Sequence, residues 1–209
     1  MRVEHVEVLV EEPSMEAALT LLLPKMLGEV SFLLHAHQCK QDLLANLLPR
    51  LRGYAKWLPS SYRILVVVDR DEEDCLALKA RLNAISREAG LETRTSVGAC
   101  SCMVVNRIAV EELEAWYFGD WNAVRTAYPR VSETIPSKAP FRNPDAIAGG
   151  TWEVFERILQ RAGYFKSGLR KIEAARMVCS HMDPSVNTSR SFGALRSALL
   201  EMIQTQSTW

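Results

Sequence analysis

The sequence predicts an α/β protein: a mostly parallel sheet flanked by helices, followed by a C-terminal helical annex. Three observations lead there. Over the first hundred residues, short β-branched runs alternate with segments of helical periodicity, the pattern of right-handed βαβ units. Four consecutive aliphatics, Leu65 to Val68, suit a strand buried on both faces, as in a parallel sheet. From residue 151 onward the periodicity is helical throughout.

The elements follow in order. Residues 6–10 form a first strand that ends at Glu11, Glu12 and Pro13. Ser14 then caps a helix whose apolar stripe runs through Met15, Ala18 and Leu22 toward Met26. Residues 30–37 read as the second strand. Residues 41–57 read as a helix, with leucines at 43, 44, 47, 48 and 51. The third strand covers 63–68, and a helix follows over 74–90 with Leu76, Leu78 and Leu82 inward and Gly90 as its stop. Two further strands are expected at 92–97 and 103–110, then a helix over 111–117. The stretch 128–150, rich in proline, serine and asparagine, reads as a long irregular connection. Helices are expected over 152–162, 169–181 and 190–204, with a cap around residues 187–191. The organisation is thus an α/β core (1–127), a connection (128–150) and an annex (151–209) packed on the core as one unit.

Composition narrows the class. The 209 residues are 48% apolar and 24% charged, with 25 basic and 25 acidic side chains. That balance is ordinary for a globular protein and produces no global field toward nucleic acid or membrane. The longest apolar candidate, 17–36, is broken by Pro24, Lys25 and Glu29, short of the roughly 18 residues a membrane span requires. The charged N-terminus lacks the apolar region of a signal peptide. Five cysteines without C-x-x-C spacing fit a reducing compartment, so the cytoplasm is the expected location. Cys100 and Cys102 are expected to be buried small residues.

In open α/β sheets, ligands bind at the carboxyl ends of the strands. Here the first strand ends in Glu11-Glu12, and the third in Asp69-Arg70-Asp71 followed by Glu72, Glu73 and Asp74. A third acidic group, Glu111, Glu112 and Glu114, follows another apolar strand. Alternation along an extended chain would point Asp69 and Asp71 the same way, so both could reach one cation. Carboxylates clustered without histidine or cysteine suit a hard ion, Mg²⁺ or Mn²⁺, which would offset their mutual repulsion. The alternative is helix capping, where the dipole favours acids; it fits Glu72, Glu73 and Asp74.

A glutamate after the first strand and D-x-D after the third resembles the pattern of Toprim domains, which hold Mg²⁺ in topoisomerases, primases and some nucleases. The whole chain is similar to the Toprim-like "domain of unknown function 4276" family. The resemblance rests on L-V-E-E-P-S-M-E (9–16), V-V-V-D-R-D-E-E-D-C (66–75), R-I-A-V-E-E-L-E-A-W (107–116), N-P-D-A-I (143–147) and S-R-S-F (189–192). Two positions depart from it: Glu12 and Cys39 stand where glycine is expected. The resemblance implies a Toprim-like, Rossmannoid sheet. It also implies Glu11 as the Toprim glutamate and general acid/base, Asp69 and Asp71 as metal ligands, and Glu111 and Glu114 as candidates for a second metal site. A partner ATPase and a role in phage defence are implied on the same basis.

Other groups read two ways. His35, His37 and Cys39 alternate and could meet zinc, although three ligands so close on one strand do not easily make a tetrahedron. His37 and Lys40 are alternatively phosphate contacts or ordinary turn residues. Arg161, Lys166, Arg170, Lys171 and Arg176 outnumber Glu173 in their stretch. They form either a solvated basic helix or a phosphate-gripping patch in which Lys166, Arg170 and Arg176 bind substrate and Lys171 steadies the leaving group. Trp116 and Tyr117 read as core aromatics. The expected function is a metal-dependent phosphodiesterase or nuclease acting on nucleic acid. The alternatives are a non-catalytic effector subunit that regulates a partner ATPase, and a hydrolase of small nucleotides.

Overall fold

The computed structural model describes residues 2–94 and 102–203. Its centre is a four-stranded parallel sheet, built from β1 (His5–Val10), β2 (Ser31–Ala36), β3 (Tyr62–Asp69) and β4 (Val104–Ala109) in the order β2-β1-β3-β4. Three helices connect and cover it: α1 (Pro13–Leu27), α2 (Lys40–Trp57) and α3 (Cys75–Glu88). Beyond β4 come α4 (Glu114–Gly119) and α5 (Trp121–Ala127), an irregular stretch with 3₁₀ turns at Ala139–Phe141 and Pro144–Ala146, then α6 (Thr151–Arg161), α7 (Lys171–His181) and α8 (Arg190–Ile203). The α/β class and the parallel sheet are those expected from the sequence.

Alternation in the two central strands divides the core. Val6, Val8, Val10, Leu65 and Val67 face α1 and the later helices, including Trp116, Tyr117, Phe155, Val178 and Phe192 in one continuous apolar cluster. Leu9, Ile64, Val66 and Val68 face α2 and α3. Strand β3 is therefore apolar on both sides, as its unbroken aliphatic run requires, whereas β1 carries the buried Glu7 on its α2 side. The C-terminal helices share the first of these clusters with the sheet, so their burial and the sheet's are one event.

Two fixings hold the annex in place. Lys25, near the end of α1, donates from Nζ to the carbonyls of Cys179 (3.1 Å), Ser180 (3.0 Å) and Met182 (2.7 Å). A cation at the C-terminal carbonyls of α7 is favoured by their orphaned acceptors and by the helix dipole. At the other fixing, Ser189 caps α8 by accepting from the Phe192 amide (3.2 Å). Asp145 reinforces that cap, accepting from Ser189 Oγ (2.8 Å), the Arg190 amide (2.6 Å) and Ser191 Oγ (2.6 Å). Ser191 Oγ also accepts from Trp116 Nε1 (3.1 Å). The N-P-D and S-R-S-F stretches are thus two halves of one capping knot. Gly119 is required beside it, because a Cβ there would collide with the Asn187 side chain and the Ser189 backbone.

Several expectations are corrected. The helix after β1 starts at Pro13 with Glu12 at the cap position, and Ser14 Oγ bonds the Glu12 carboxylate instead of capping. Leu76 is exposed, because in α3 the buried stripe follows Leu78 and Leu82, four apart. The predicted strand at 92–97 is reduced to an isolated parallel bridge from Thr93 to Val104; residues 95–97, like Cys100, lie outside the described residues. The helix expected from 111 begins three residues later, after a turn through Glu111 in the left-handed region (φ 63°). Helix α7 begins at Lys171, two residues later than expected. No helix among the described residues is long and apolar enough to cross a membrane.

The capping knot generates a stability prediction. Asp145→Ala should cost roughly 2–3 kcal/mol, since it strips acceptors from the buried start of α8. Urea unfolding followed by circular dichroism measures it. A change below about 0.5 kcal/mol would show that α8 does not depend on Asp145.

Candidate functional site at the carboxyl edge

Because all four strands run parallel, their carboxyl ends meet at one edge. The registers Val10↔Val67 and Asp69↔Ala109 bring the chain past β1, the end of β3 and the turn past β4 side by side. Asp69 follows Leu65 and Val67 on the α1 side of the sheet, and is 4% exposed. Glu11, one residue beyond β1, is 6% exposed, and Glu114, the first residue of α4, is 1% exposed. Three carboxyl groups are therefore buried at the edge where α1, α6 and α7 also begin. The positive ends of those helix dipoles partly offset the gathered negative charge.

The electrostatics follow from burial. Desolvation pushes Glu11 up to about 7, opposed by the Lys40 ammonium and assisted by Asp71. Glu114 is pushed up to about 7, again by burial first, with the Lys171 ammonium opposing it. Asp69 is raised well above the usual carboxylate range by burial and then by the fields of Glu11 and Glu114. Glu11 Oε2 and Asp69 Oδ1 are buried without a hydrogen-bond partner. Buried polar atoms of that kind are uncommon in folded proteins, and here two of them are carboxylate oxygens at the ligand-binding edge of the sheet.

Lys171 completes the centre. It is the first residue of α7, and its Nζ lies 5.0 Å from the centre of the Trp152 ring. Burial pulls its pKa down, but Glu114, Glu12, Glu112 and Asp69 outweigh burial and hold it above the usual lysine value. Glu112 positions Trp152 by accepting from Thr151 Oγ1 (2.9 Å) and the Trp152 amide (3.0 Å) at the start of α6. Tyr117, fully buried beneath, also feels the fields of Glu114 and Asp69.

Asp71 and Glu111 are arranged differently from the expectation. Strand β3 ends at Asp69, and Asp71 adopts φ 50°, so the alternation that would align the two aspartates stops. The Asp71 side chain is 52% exposed and lies 2.5 Å from Lys40 Nζ. Buried Lys40 is fully engaged there, also meeting Glu73 (3.3 Å) and the Arg70 carbonyl (3.1 Å). Glu111 pairs with Arg70. His37 sits at the same edge with Nδ1 3.1 Å from the Val10 carbonyl. His35 bonds Glu7 (2.5 Å) on the α2 side, and His35, His37 and Cys39 do not form a metal-holding group.

The five basic residues expected to act together separate. Arg170 chelates Glu173 (2.5 and 2.9 Å) and lies 5.0 Å from the Phe165 ring. Lys166 and Arg161 are exposed. Arg176 lines a groove of about 620 Å³ with Pro13 and Glu16. Lys171 alone faces the acids. Trp152 was not anticipated from the sequence, because finding it required knowing where α6 starts. Glu12 and Glu112 belonged to the acidic groups read there, but without their places beside Lys171 and Trp152.

Among the described residues, no group of three or more histidine, cysteine, aspartate or glutamate side chains stands arranged to hold a metal ion. The donors nevertheless fit a hard cation, since two unpartnered carboxylate oxygens are presented at one edge. Mg²⁺ is commonly held by one or two carboxylates, with water and phosphate oxygens completing its shell.

Fold and edge together define an α/β protein with a buried acidic centre at the carboxyl edge of a parallel sheet. The chain belongs to the family described as "Domain of unknown function (DUF4276)", whose model matches residues 10–200. No curated protein and no solved structure matches the chain.

Raised carboxyl pKa values make the stability pH-dependent. The unfolded chain loses these protons near 4.5, whereas folded Glu11 and Glu114 keep them to about 7. Their contribution is therefore complete below about 4.5 and lost as pH rises through about 7. The metal-free melting temperature should fall across that window. Asp69→Asn should raise it at the alkaline end, while a Mn²⁺-induced increase should appear in the native protein and vanish in the variant. Calorimetric melting with and without chelator reads all three, and a metal-free protein that grows more stable across the window would contradict this electrostatic account.

Proposed function

We propose that this protein is a Mg²⁺- or Mn²⁺-dependent phosphodiesterase of the Toprim type that cleaves nucleic acid in the cytoplasm beside a partner ATPase. The observation that carries the reading is the pair of buried, unpartnered carboxylate oxygens on Glu11 and Asp69, at the sheet edge where α/β proteins bind ligands. When bound, the ion supplies Lewis-acid polarisation of a phosphate and acidifies water.

The chain's own groups divide the remaining work. Asp69, last in a rigid central strand, is the fixed ligand. Glu11, buried beside it with one oxygen unpartnered, can share the ion through that oxygen, and where the ion leaves it free can take up and return a proton. Lys171 brings a charged ammonium to a centre otherwise composed of acids, and so can meet a phosphate oxygen or a leaving group. Trp152 offers an aromatic face beside it. Lys40 holds the 70–73 turn rather than substrate, since its three acceptors are all within the chain. The ATPase partner and a defence role against phage rest on the family resemblance.

A second reading, a non-catalytic subunit regulating a partner ATPase, is favoured by the capture of Asp71 by Lys40, which leaves two acids rather than three for an ion. Purified protein incubated with Mn²⁺ and labelled DNA or RNA separates the two. Cleavage lost in Asp69→Ala, and reduced roughly 100-fold or more in Glu11→Gln, supports the enzyme. Cleavage unchanged in both variants, or absent under any metal, supports the subunit. Release of phosphate from nucleotides without polymer cleavage would point to a small-substrate hydrolase. Lys171→Ala should weaken nucleic-acid binding while leaving Mn²⁺ affinity nearly unchanged.

A further inference from the structure

The two edges of the sheet are treated very differently. Strand β4 is buried at five of its six positions and is packed by α3 and α8. Strand β2, at the opposite edge, has no buried position. Its inner side is fixed by the ladder to β1, which continues into the bonds from the Ser31 amide to the Glu4 carbonyl and from the His37 amide to the Val10 carbonyl. In a parallel ladder the amide and carbonyl of one residue point to the same side. The odd residues of β2 therefore face β1, and Phe32, Leu34 and Ala36 turn their amides and carbonyls outward. Among the described residues no strand pairs with that outer side.

Exposed edges are ordinarily protected by lysine, proline, a bulge or an inward-pointing charge. The β2 sequence Ser-Phe-Leu-Leu-His-Ala has none of these, and its one titratable side chain, His35, is held by Glu7 at 2.5 Å. Large apolar side chains are instead left in solvent on the α2 side. Leu33 is 51% exposed and Trp57 is 60% exposed. They flank one local cluster: Leu33 lies in register with Glu7, Glu7 accepts from the Tyr54 hydroxyl (2.9 Å), and Tyr54 packs at a tilt against Trp57 (5.6 Å between ring centres).

We infer that the outer edge of β2 pairs with β2 of a second copy of this chain, antiparallel about a two-fold axis through Leu33, to form a continuous eight-stranded sheet. The occupant is argued from complementarity. An antiparallel two-fold is isologous, so each edge supplies what the other lacks. With Leu33 on the axis, Phe32 lies opposite the outward-facing Leu34 of the second copy, and their amides and carbonyls satisfy one another. The two Leu33 side chains meet on the α2 side, where Trp57 extends the apolar cover. A chain with equal numbers of acidic and basic residues brings no net repulsion to the pairing. The carboxyl edges then point in opposite directions, so each acidic centre acts without residues from the other copy.

Analytical ultracentrifugation over a range of concentrations tests this. The native chain should sediment as a dimer. Ala36→Pro should return it to monomer, because it removes only an outward amide and leaves the ladder to β1 intact. Leu33→Lys should do the same by placing like charges on the axis. Hydrogen exchange on the native protein gives a readout free of variants: the Leu34 amide, which faces away from β1 and has no strand beside it among the described residues, should be protected. A native chain that stays monomeric, a dimer that survives both substitutions, or a Leu34 amide exchanging as fast as a solvated one would each overturn the inference.

Discussion

Three carboxyl groups are buried together at the carboxyl edge of the sheet, and much of the surrounding structure answers to that one constraint. Burial and like-charge repulsion act in the same direction on Glu11, Asp69 and Glu114. The chain offsets them with the dipoles of helices that begin there and with two lysines. Lys40 arrives from the start of α2 and Lys171 from the start of α7. The two lysines have separate duties. Lys40 is locked to the turn after β3, whereas Lys171 lies over an aromatic ring among acids. What is left uncompensated, two carboxylate oxygens without partners, is where a cation would lower the free energy most.

This constraint also explains the annex. Alongside α1 the later helices cover the sheet's first face, and there the acids meet a second ammonium. Helix α7 supplies it, and α7 is held against α1 by Lys25 at its C-terminal carbonyls. Helix α8 is in turn fixed by Asp145 and Ser189 to the turn that leads into α6. The stretches on which the sequence resemblance rests therefore divide into two kinds. Those at the ends of β1, β3 and β4 line the acidic centre, and N-P-D with S-R-S-F position the helices around it.

Much of the fold was legible because its signals are local. A short β-branched run marked β1, an unbroken aliphatic run marked β3, and leucines three and four apart marked α2. Asp69 and Glu11 were legible for the same reason, as acids directly following buried strands. The failures share a cause too. Asp71 was aligned with Asp69 by assuming that β3 continued, but a left-handed residue ends the alternation at that point. Lys40 was read as a phosphate contact or a turn residue, and its ion pairs tie it into the turn from 70 to 73. For the stretch from Arg161 to Arg176 a solvated helix and a phosphate patch were both open, and the loop before α7 sends Arg170 to solvent and Lys171 to the acids. Each of these depends on contacts between residues distant in sequence, which periodicity does not encode. Glu114 lies buried at this edge, although its helix begins later than the pattern implied.

The central claim is that Glu11 and Asp69 share one hard cation. Anomalous diffraction from a crystal soaked in Mn²⁺ at near-neutral pH examines that claim with the least interpretation. The account predicts one strong peak bridging a Glu11 oxygen and a carboxylate oxygen of Asp69, with Lys171 across the centre from it. A crystal saturated with Mn²⁺ that shows no peak at this edge, or one bound only at the exposed acids after β3, would contradict it.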